Sequence, residues 1–523
     1  MNFMQQKTKT ILAVALLAWA APTGPVLAEE PSNAQLYEMY LKLRDELTAV
    51  RAENRALRAL IDARDQTTQT ATAATAPAAA ALPTGATPDA HPAPPPATAG
   101  TLPAAKDKAI PVEATVKQGA LTFRSEDGNI VYKLDGRLLV DAGFVHNALD
   151  NNPKNMLHSN SELRQASLAL KTTLYRDWEG TFDVNFANPN ATVDGVKLRD
   201  MTLAYVGLPR TAFTVGNQKP QFSMEELSSS RWDTFMESGL PVLAFAPGRR
   251  LGATATHWEE SYSAGASLFG DAWDKDASTD NNAEGVGWSA RLVARPYVRD
   301  NANQVVHVGV NYLMQEPQSD ATNNAVKINT GPEADLIDYK FLNTSDIPYT
   351  DSMTTWDFEL AGKWNRFYAQ SEYMRTDLHR YNGQPEPTFT GWYAMVAAFL
   401  TDDTRTYDLA NGYFGAVVPN GAWGAWELAL RYSMVDLNGV TGYVPKSAKN
   451  LFGYPVPIQG GGSTDATVGL NWYVNHNIIF RTNYIHVNHD ANAAGSINAT
   501  TGVSKFAGGD TLNIYGARME YLF

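Results

Sequence analysis

The sequence predicts an all-β fold: a transmembrane antiparallel β-barrel of about sixteen strands, preceded by an N-terminal coiled-coil helix and a Pro/Ala-rich linker. From about residue 115 onward, stretches of roughly ten residues alternate apolar with polar side chains, which is typical of barrel strands. The mean hydropathy of −0.29 argues against a polytopic helical membrane protein. The 523 residues include no cysteine, which excludes disulfides and cysteine-ligated metals.

The first 28 residues are predicted to be a signal peptide. Lys7 and Lys9 provide a positive start, Ile11 to Ala21 is apolar, and cleavage is expected after Ala28. The alternative is a transmembrane anchor, but the apolar run is too short to span a bilayer. The mature protein is therefore expected to be exported to the bacterial outer membrane.

Residues 29–65 are predicted to form a periplasmic coiled coil. Apolar residues repeat with 4-3 spacing over four heptads, and Asn54 occupies an a position, where a buried amide fixes register and oligomer state. The alternative is a single amphipathic helix that lies on another surface. The heptad positions are Leu36, Leu43, Val50 and Leu57, with Tyr40, Leu47, Asn54 and Ile61.

Residues 66–112 form a linker of low complexity made of alanine, threonine and proline. Nine of the 28 prolines lie here, including the run from Pro94 to Pro96. Such a composition cannot bury a core and is expected to stay extended as a spacer.

Residues 113–523 are predicted to form the barrel domain. In the last segment Tyr515, Met519 and Tyr521 share one face, whereas Arg518 and Glu520 share the other. About sixteen such strands fit the length, and fourteen or eighteen remain alternatives. The predicted strands start near residues 130, 163, 178, 198, 211, 250, 262, 287, 305, 354, 366, 391, 424, 464, 477 and 511.

Charged side chains recur on the polar face of these strands. A packed sandwich core could not bury them unpaired, so they are expected to line a water-filled lumen. Acidic residues occur there beside basic ones, and a lumen of mixed sign predicts weak selectivity. The acidic members are Asp135, Asp141, Asp183, Asp357, Glu359, Glu372, Glu427 and Glu520.

The connection between Thr214 and Arg249 departs from the strand pattern for about thirty residues. It is partly apolar, and Phe222 to Leu227 has a helical pattern. Such a segment is typical of a loop that folds into a barrel and narrows it; a large surface loop is the alternative.

Ordered stretches of the barrel domain, from Tyr132–Leu138 to Gly469–Tyr473, resemble the phosphate-selective porin O and P family. That resemblance implies a trimeric outer-membrane barrel of sixteen strands, whose better-known members pass phosphate or polyphosphate. The resemblance does not extend to residues 1–112. The matching stretches are Tyr132–Leu138, Tyr175–Trp178, Ser228–Glu237, Ala246–Arg249, Val305–Gly309, Ala369–Tyr373, Ala425–Leu428 and Gly469–Tyr473.

The resemblance and the lumen-facing pattern together give the candidate pore residues. The chain departs from the family at Gln165 and Ser238, where relatives carry arginine, and Lys327 is the only base in the segment 325–330. Arginine and lysine along the path are what anion passage requires. The candidates are Lys133, Arg137, Arg164, Gln165, Lys171, Arg431, Arg481 and Arg518 in the wall, with Glu225, Arg231, Asp233, Glu237 and Arg249 in the loop.

The predicted function is a porin for passive diffusion of small polar solutes, including phosphate or other anions. The alternative is a structural tether from the outer membrane to the cell wall, made by the coiled coil; an outer-membrane hydrolase is a distant third. The histidines lack metal-ligand spacing, and no catalytic motif appears, so no enzyme, metal or cofactor is expected. A homotrimer surrounded by lipid is expected, and the net charge of −13 argues against nucleic acid.

Overall fold

The computed structural model describes residues 110–117, 119–147, 160–187, 196–271, 285–317, 324–337, 339–439, 442–443, 455–456, 458–493 and 508–523. The predicted signal peptide, the coiled coil with Asn54 and all but the end of the linker lie outside these residues. Within the described part, no helix is both long and apolar enough to cross a bilayer.

Antiparallel strands dominate the described chain, because alternating apolar and polar side chains suit a sheet with one lipid face and one wet face. The two short helices are α1 (Met224–Leu227) and α2 (Leu240–Phe245). In chain order the strands are β1 (Val112–Lys117), β2 (Ala120–Ser125), β3 (Ile130–Asn147), β4 (Asn160–Leu174), β5 (Trp178–Asn185), β6 (Lys197–Leu208), β7 (Thr211–Gln218), β8 (Arg250–Trp258), β9 (Tyr262–Phe269), β10 (Gly287–Arg299), β11 (Gln304–Gln315), β12 (Asn329–Thr330), β13 (Leu342–Asn343), β14 (Thr350–Trp364), β15 (Phe367–Arg380), β16 (Thr388–Phe399), β17 (Arg405–Asp408), β18 (Tyr413–Val417), β19 (Ala425–Asn438), β20 (Gly442–Tyr443), β21 (Pro455–Val456), β22 (Gln459–Tyr473), β23 (Ile478–His489) and β24 (Thr511–Leu522).

The barrel wall closes where the last strand meets the first. Strand β24 pairs with β3, from Leu512 opposite Asn147 to Leu522 opposite Arg137. Counted over the described residues, the closed wall has sixteen strands: β3 to β11, β14 to β16, β19 and β22 to β24. Each begins within five residues of its predicted start. The predicted sixteen-stranded barrel is therefore confirmed.

The N-terminal hairpin of β1 and β2 extends this wall. Strand β2 pairs with the first residues of β3, in line with the end of β24. The C-terminal residue Phe523 exchanges two backbone hydrogen bonds with Gly136, of 2.7 and 3.1 Å. A Cβ at Gly136 would lie 2.3 Å from the ring of Phe523, so a larger residue there would force the ring to move.

The two faces of the wall follow the predicted alternation. In β24, Tyr515 and Tyr521 are exposed on the outside, whereas Arg518 and Glu520 are buried on the inside. Aromatic rings also pair across the outer face, as Trp426 and Trp472 do with stacked rings 5.2 Å apart. The charged side chains therefore lie in the lumen.

The two ends of the barrel differ in the length of their connections. Outer-membrane barrels carry short turns at the periplasmic end and long loops at the extracellular end, and we name the ends accordingly. The short connections are 175–177, 209–210, 259–261, 300–303, 365–366 and 474–477. The connection 400–424 lies at the same end but is long and contains β17 and β18.

Three connections fill much of the lumen. The constriction loop (residues 219–249) carries α1 and α2, and its apolar side chains Phe222, Leu240 and Phe245 are fully buried. We call residues 324–349 the inward loop and residues 400–424 the inward hairpin. Helix α1 starts at Met224, two residues later than the helical pattern, because Ser223 has a φ of 62° and caps the helix by accepting a 3.1 Å bond from the Glu226 amide.

Candidate functional site

The constriction loop is attached to the far wall of the lumen through its backbone carbonyl groups. Arg518 of β24 donates to the carbonyl of Met236 at 2.5 Å, and Asn471 of β22 donates to that of Thr234 at 2.8 Å. Arg431 of β19 donates to the carbonyl oxygen of Glu237 at 2.9 Å. The loop therefore crosses the barrel, as predicted, and does not lie on its outer surface.

Five acidic side chains in the lumen are each neutralised by a buried arginine. Each of these arginines is at most 4% exposed and contacts a carboxylate directly, so neither charge is free to act on a permeating ion. The pairs are Arg518 with Asp141 at 2.7 Å, Arg291 with Glu359 at 2.8 Å, Arg431 with Glu333 at 2.6 Å, Arg405 with Glu427 at 3.2 Å, and Arg481 with Glu520.

Glu237 links the constriction loop to two strands. Arg164 of β4 donates to its carboxylate at 3.0 and 3.1 Å, and Arg518 donates at 2.9 Å. Burial alone would raise the pKa of this loop carboxyl, but the two guanidinium groups outweigh burial and lower its pKa to about 2. Glu237 is therefore ionised throughout the physiological range.

An open cavity of about 350 Å³ lies between the constriction loop and the wall formed by β3 to β8. Of the described residues that line it, six are basic and two are acidic, which gives a formal charge of +4. We call it the basic cavity. Its charged lining residues are Arg137, Lys171, Arg199, Lys219, Arg231 and Arg249, with Asp183 and Asp200.

Guanidinium groups converge on one wall of the basic cavity. The side-chain oxygen of Gln165 accepts hydrogen bonds from Arg137 and, at 3.0 Å, from Arg199. The buried Nε of Arg137 has no acceptor among the described residues. A neutral amide thus bridges two positive groups. Each also has an acid nearby, because Arg137 lies 3.8 Å from Glu520 and Arg199 lies 3.2 Å from Asp183.

Three further bases of the cavity form ion pairs with carboxylates, and two of these bases share one carboxylate. Arg249 binds Asp200 through two hydrogen bonds of 2.9 and 3.0 Å. Arg231 of the loop and Lys171 of β4 share the carboxylate of Asp135, at 2.5 and 3.2 Å. Lys171 keeps about half of its side chain exposed, so its charge remains available to a solute.

A second basic space leads from this cavity toward the periplasmic end. It has a volume of about 580 Å³ and shares Lys171 and Thr181 with the basic cavity. Lys117 and Arg124 of the N-terminal hairpin line it together with Lys133 of β3. The two spaces therefore form one positively charged path along a single side of the lumen.

Comparisons with known proteins decide the family. A family model described as phosphate-selective porin O and P matches residues 132–523. The chain belongs to this family. Porin O of Pseudomonas aeruginosa is 24% identical over 432 residues, covering 78% of this chain and 91% of that protein. An uncharacterized protein of Caulobacter vibrioides is 27% identical over 535 residues, covering 98% and 95%.

Solved porin structures resemble the barrel more distantly. The anion-selective porin from Comamonas acidovorans has a TM-score of 0.45 and 11% identity, and the match covers 75% of this chain and all of that one. The family membership confirms the resemblance seen in stretches such as Tyr132–Leu138, and it identifies the chain as an outer-membrane porin.

The structure brings together only part of the predicted site of this porin. Five of the predicted residues line the basic cavity: Arg137, Gln165, Lys171, Arg231 and Arg249. Lys133 lies in the adjoining space toward the periplasm. The other candidates lie outside these two spaces. Four form ion pairs, namely Arg164, Arg431, Arg481 and Arg518, and Glu237 lies between Arg164 and Arg518. Glu225 accepts a hydrogen bond of 3.0 Å from the Gly239 amide, and Asp233 lies beside Trp232 and Arg405.

Arg199, Lys219 and Asp200 of the cavity were not predicted. Arg199 lies two residues before Met201, whose side chain points outward. Strict alternation along β6 would therefore place Arg199 on the lipid face as well. A β-bulge corrects this, because the two residues Arg199 and Asp200 stand opposite the single residue Asp183. Both side chains of the bulge therefore reach the cavity, and alternation alone gives no signal for them.

Proposed function

We propose that this porin forms a diffusion channel for small anions, phosphate among them, and that the basic cavity selects them. The observation that carries the proposal is the formal charge of +4 on the residues that line the cavity. Fixed positive charges attract permeating anions and repel cations in a narrow, poorly screened space.

The distribution of charge in the lumen supports this proposal. The sequence alone suggests a lumen of mixed sign, but the acids Asp141, Glu359, Glu427 and Glu520 are each paired with a buried arginine. Among the residues that line the basic cavity, bases outnumber acids by six to two. Guanidinium groups donate several hydrogen bonds in one plane, which suits the oxygens of phosphate.

The other parts of the proposal rest on the sequence. We propose export by the N-terminal signal peptide, a homotrimer in the membrane, and a periplasmic coiled coil that can contact the cell wall. A tethering role would add to the channel and would not replace it. A hydrolase is not favoured, because membership of a porin family supports a channel.

Planar-bilayer recording of the purified porin tests the proposal. We expect ohmic current steps in potassium chloride and a saturable reduction of the chloride current by added phosphate. In Arg199→Gln, phosphate should inhibit several-fold more weakly, because one of the two groups on Gln165 is lost. Absence of ohmic steps would contradict the channel, and absence of inhibition by phosphate would contradict phosphate binding.

Arg299→Gln is the matched control for this experiment. Arg299 lies over the ring of Tyr297, which in turn stacks on the outward-facing Trp364. The substitution removes the same charge from the outside of the barrel, so inhibition by phosphate should stay at the parent level. Equal weakening by both substitutions would mean that the cavity is not the binding site.

A further inference from the structure

Three carboxylates meet on the lumen side of β14 and β15, and none of them lines the basic cavity. The register places Glu359 directly opposite Glu372, two like charges on one face of the sheet. Asp357 lies two residues away on the same face. One oxygen from each of the three lies within 4.8 Å of the others, and none of the three side chains is more than 2% exposed.

The described neighbours neutralise only part of this charge. Arg291 binds Glu359 through hydrogen bonds of 2.8 and 2.9 Å, and the ring of His307 contacts the same carboxylate at 2.8 Å. Glu372 accepts hydrogen bonds from neutral donors, among them the hydroxyl of Tyr393 at 2.6 Å. Three carboxylates against one guanidinium leave a formal charge of −2 in a buried place.

Two buried oxygen atoms of this cluster lack a donor. Asn311, which is 1% exposed, donates through its amide nitrogen to Asp357 at 2.5 Å and to Glu359 at 2.8 Å. Among the described residues, neither its side-chain oxygen nor Oδ1 of Asp357 finds a hydrogen-bond donor. Buried acceptors without a donor are costly, which points to a positively charged ligand at this cluster.

We propose that Asp357, Glu359, Glu372 and Asn311 bind a hard divalent cation of the calcium type. A charge of −2 matches one such ion, and all the offered ligands are oxygens. Calcium bonds to oxygen at about 2.4 Å, so three oxygens that lie within 4.8 Å of one another can reach a single ion. Magnesium suits the place less well, since it usually keeps several waters.

The cation would fasten the constriction loop to the wall. The carboxylate of Glu372 accepts hydrogen bonds from the backbone amides of Met224 at 3.1 Å and Glu225 at 2.9 Å, in the first turn of α1. A bound ion would keep this carboxylate in place and charged. The site would thus support the position of the loop without touching a permeating solute.

Calorimetric titration with calcium chloride tests this site. Full-length protein in detergent is treated with a chelator and then titrated. We expect one calcium ion per chain in the parent, and an affinity at least tenfold lower in Asp357→Asn. Asp465→Asn is the control, because Asp465 is a buried lumen carboxylate bonded to Ser463 and the amide of Glu333 and lies outside the cluster. Its affinity should match that of the parent.

Thermal unfolding gives a second readout. Calcium should raise the unfolding temperature of the parent and of Asp465→Asn, but not that of Asp357→Asn. If Asp357→Asn does not fold, Asn311→Ala replaces it with the same expectation. Absence of saturable calcium binding in the parent, or equal affinity in the cluster variants, would overturn the site and would indicate a proton shared between carboxyl groups.

Discussion

Arg518 in the last strand donates a hydrogen bond of 2.9 Å to Glu237 in the constriction loop. The same guanidinium holds Asp141 of the first barrel strand through two bonds of 2.7 Å. One buried arginine thus joins the two ends of the barrel sheet to the loop that narrows the lumen. Together with Arg164, which also binds Glu237, it neutralises two negative charges in the lumen.

Replacement of Arg518 by methionine should destabilise the barrel. It leaves Asp141 and Glu237 without this partner, and breaking a buried ion pair by removing one member costs about 3 to 5 kcal/mol. We expect a lower temperature for the conversion from folded to unfolded bands in heat-modifiability gels. The double variant with Asp141→Asn should recover part of the loss; a double variant as unstable as Arg518→Met would contradict the pairing.

The contribution of Glu237 should depend on pH. Arg164 and Arg518 lower the pKa of its carboxyl to about 2, against 4.5 for an ordinary glutamate. A lowered pKa in the folded state stabilises it above pH 4.5, and this stabilisation is lost as the pH falls toward 2. The parent should therefore be more stable than Glu237→Gln at neutral pH, with the difference shrinking between pH 4.5 and 2.

Thermal unfolding of the two proteins across that range measures this difference. The physical reason for the sign is that protonation breaks the charged hydrogen bonds which the parent has and the variant lacks. A difference that stays constant from neutral pH to pH 2 would mean that the ion pairs of Glu237 do not stabilise the fold.

Lys171 should influence ion selectivity, because it lines both parts of the basic path and keeps about half of its side chain exposed. Lys171→Gln should lower the anion-to-cation permeability ratio about threefold, since one charge beside a permeating ion changes its energy by roughly 0.7 kcal/mol in a partly solvated pore. Zero-current potentials in a salt gradient measure the ratio. Arg299→Gln should leave it unchanged; an equal effect of the two substitutions would argue against a local action.

The inward hairpin should limit the conductance. Arg405 holds it in the lumen by contacts with Glu427, with the hydroxyl of Tyr473 at 2.7 Å, and with the carbonyl of Trp232 in the constriction loop. Arg405→Gln weakens all of these contacts, so we expect larger and noisier single-channel currents. A conductance equal to that of the parent would show that the hairpin does not obstruct the path.

The sequence was a good guide to the wall of the barrel. The alternation of Tyr515, Met519 and Tyr521 with Arg518 and Glu520 reports directly which face meets lipid, because the bilayer imposes the pattern on every strand. The same reasoning found the strand starts and the constriction loop. Helix α2 was missed, since its six residues, LPVLAF, are apolar throughout and show no helical periodicity.

The candidate site was less predictable, for two physical reasons. A β-bulge places both Arg199 and Asp200 in the cavity, and an inserted residue is invisible to a strict period of two. Moreover, a lumen-facing arginine can line an open path or neutralise an acid. Arg137 lines the basic cavity and also lies 3.8 Å from Glu520, whereas Arg518 lies outside the cavity and binds Asp141 at 2.7 Å; only the three-dimensional structure separates the two cases.

The zero-current potential of the parent channel in a gradient of potassium chloride tests the central claim most directly. If the basic cavity selects anions, the potential has the sign expected when chloride is more permeant than potassium. This preference for chloride should weaken as the salt concentration rises, because salt screens the fixed charges. A potential of the sign set by potassium would contradict selection of anions by the basic cavity.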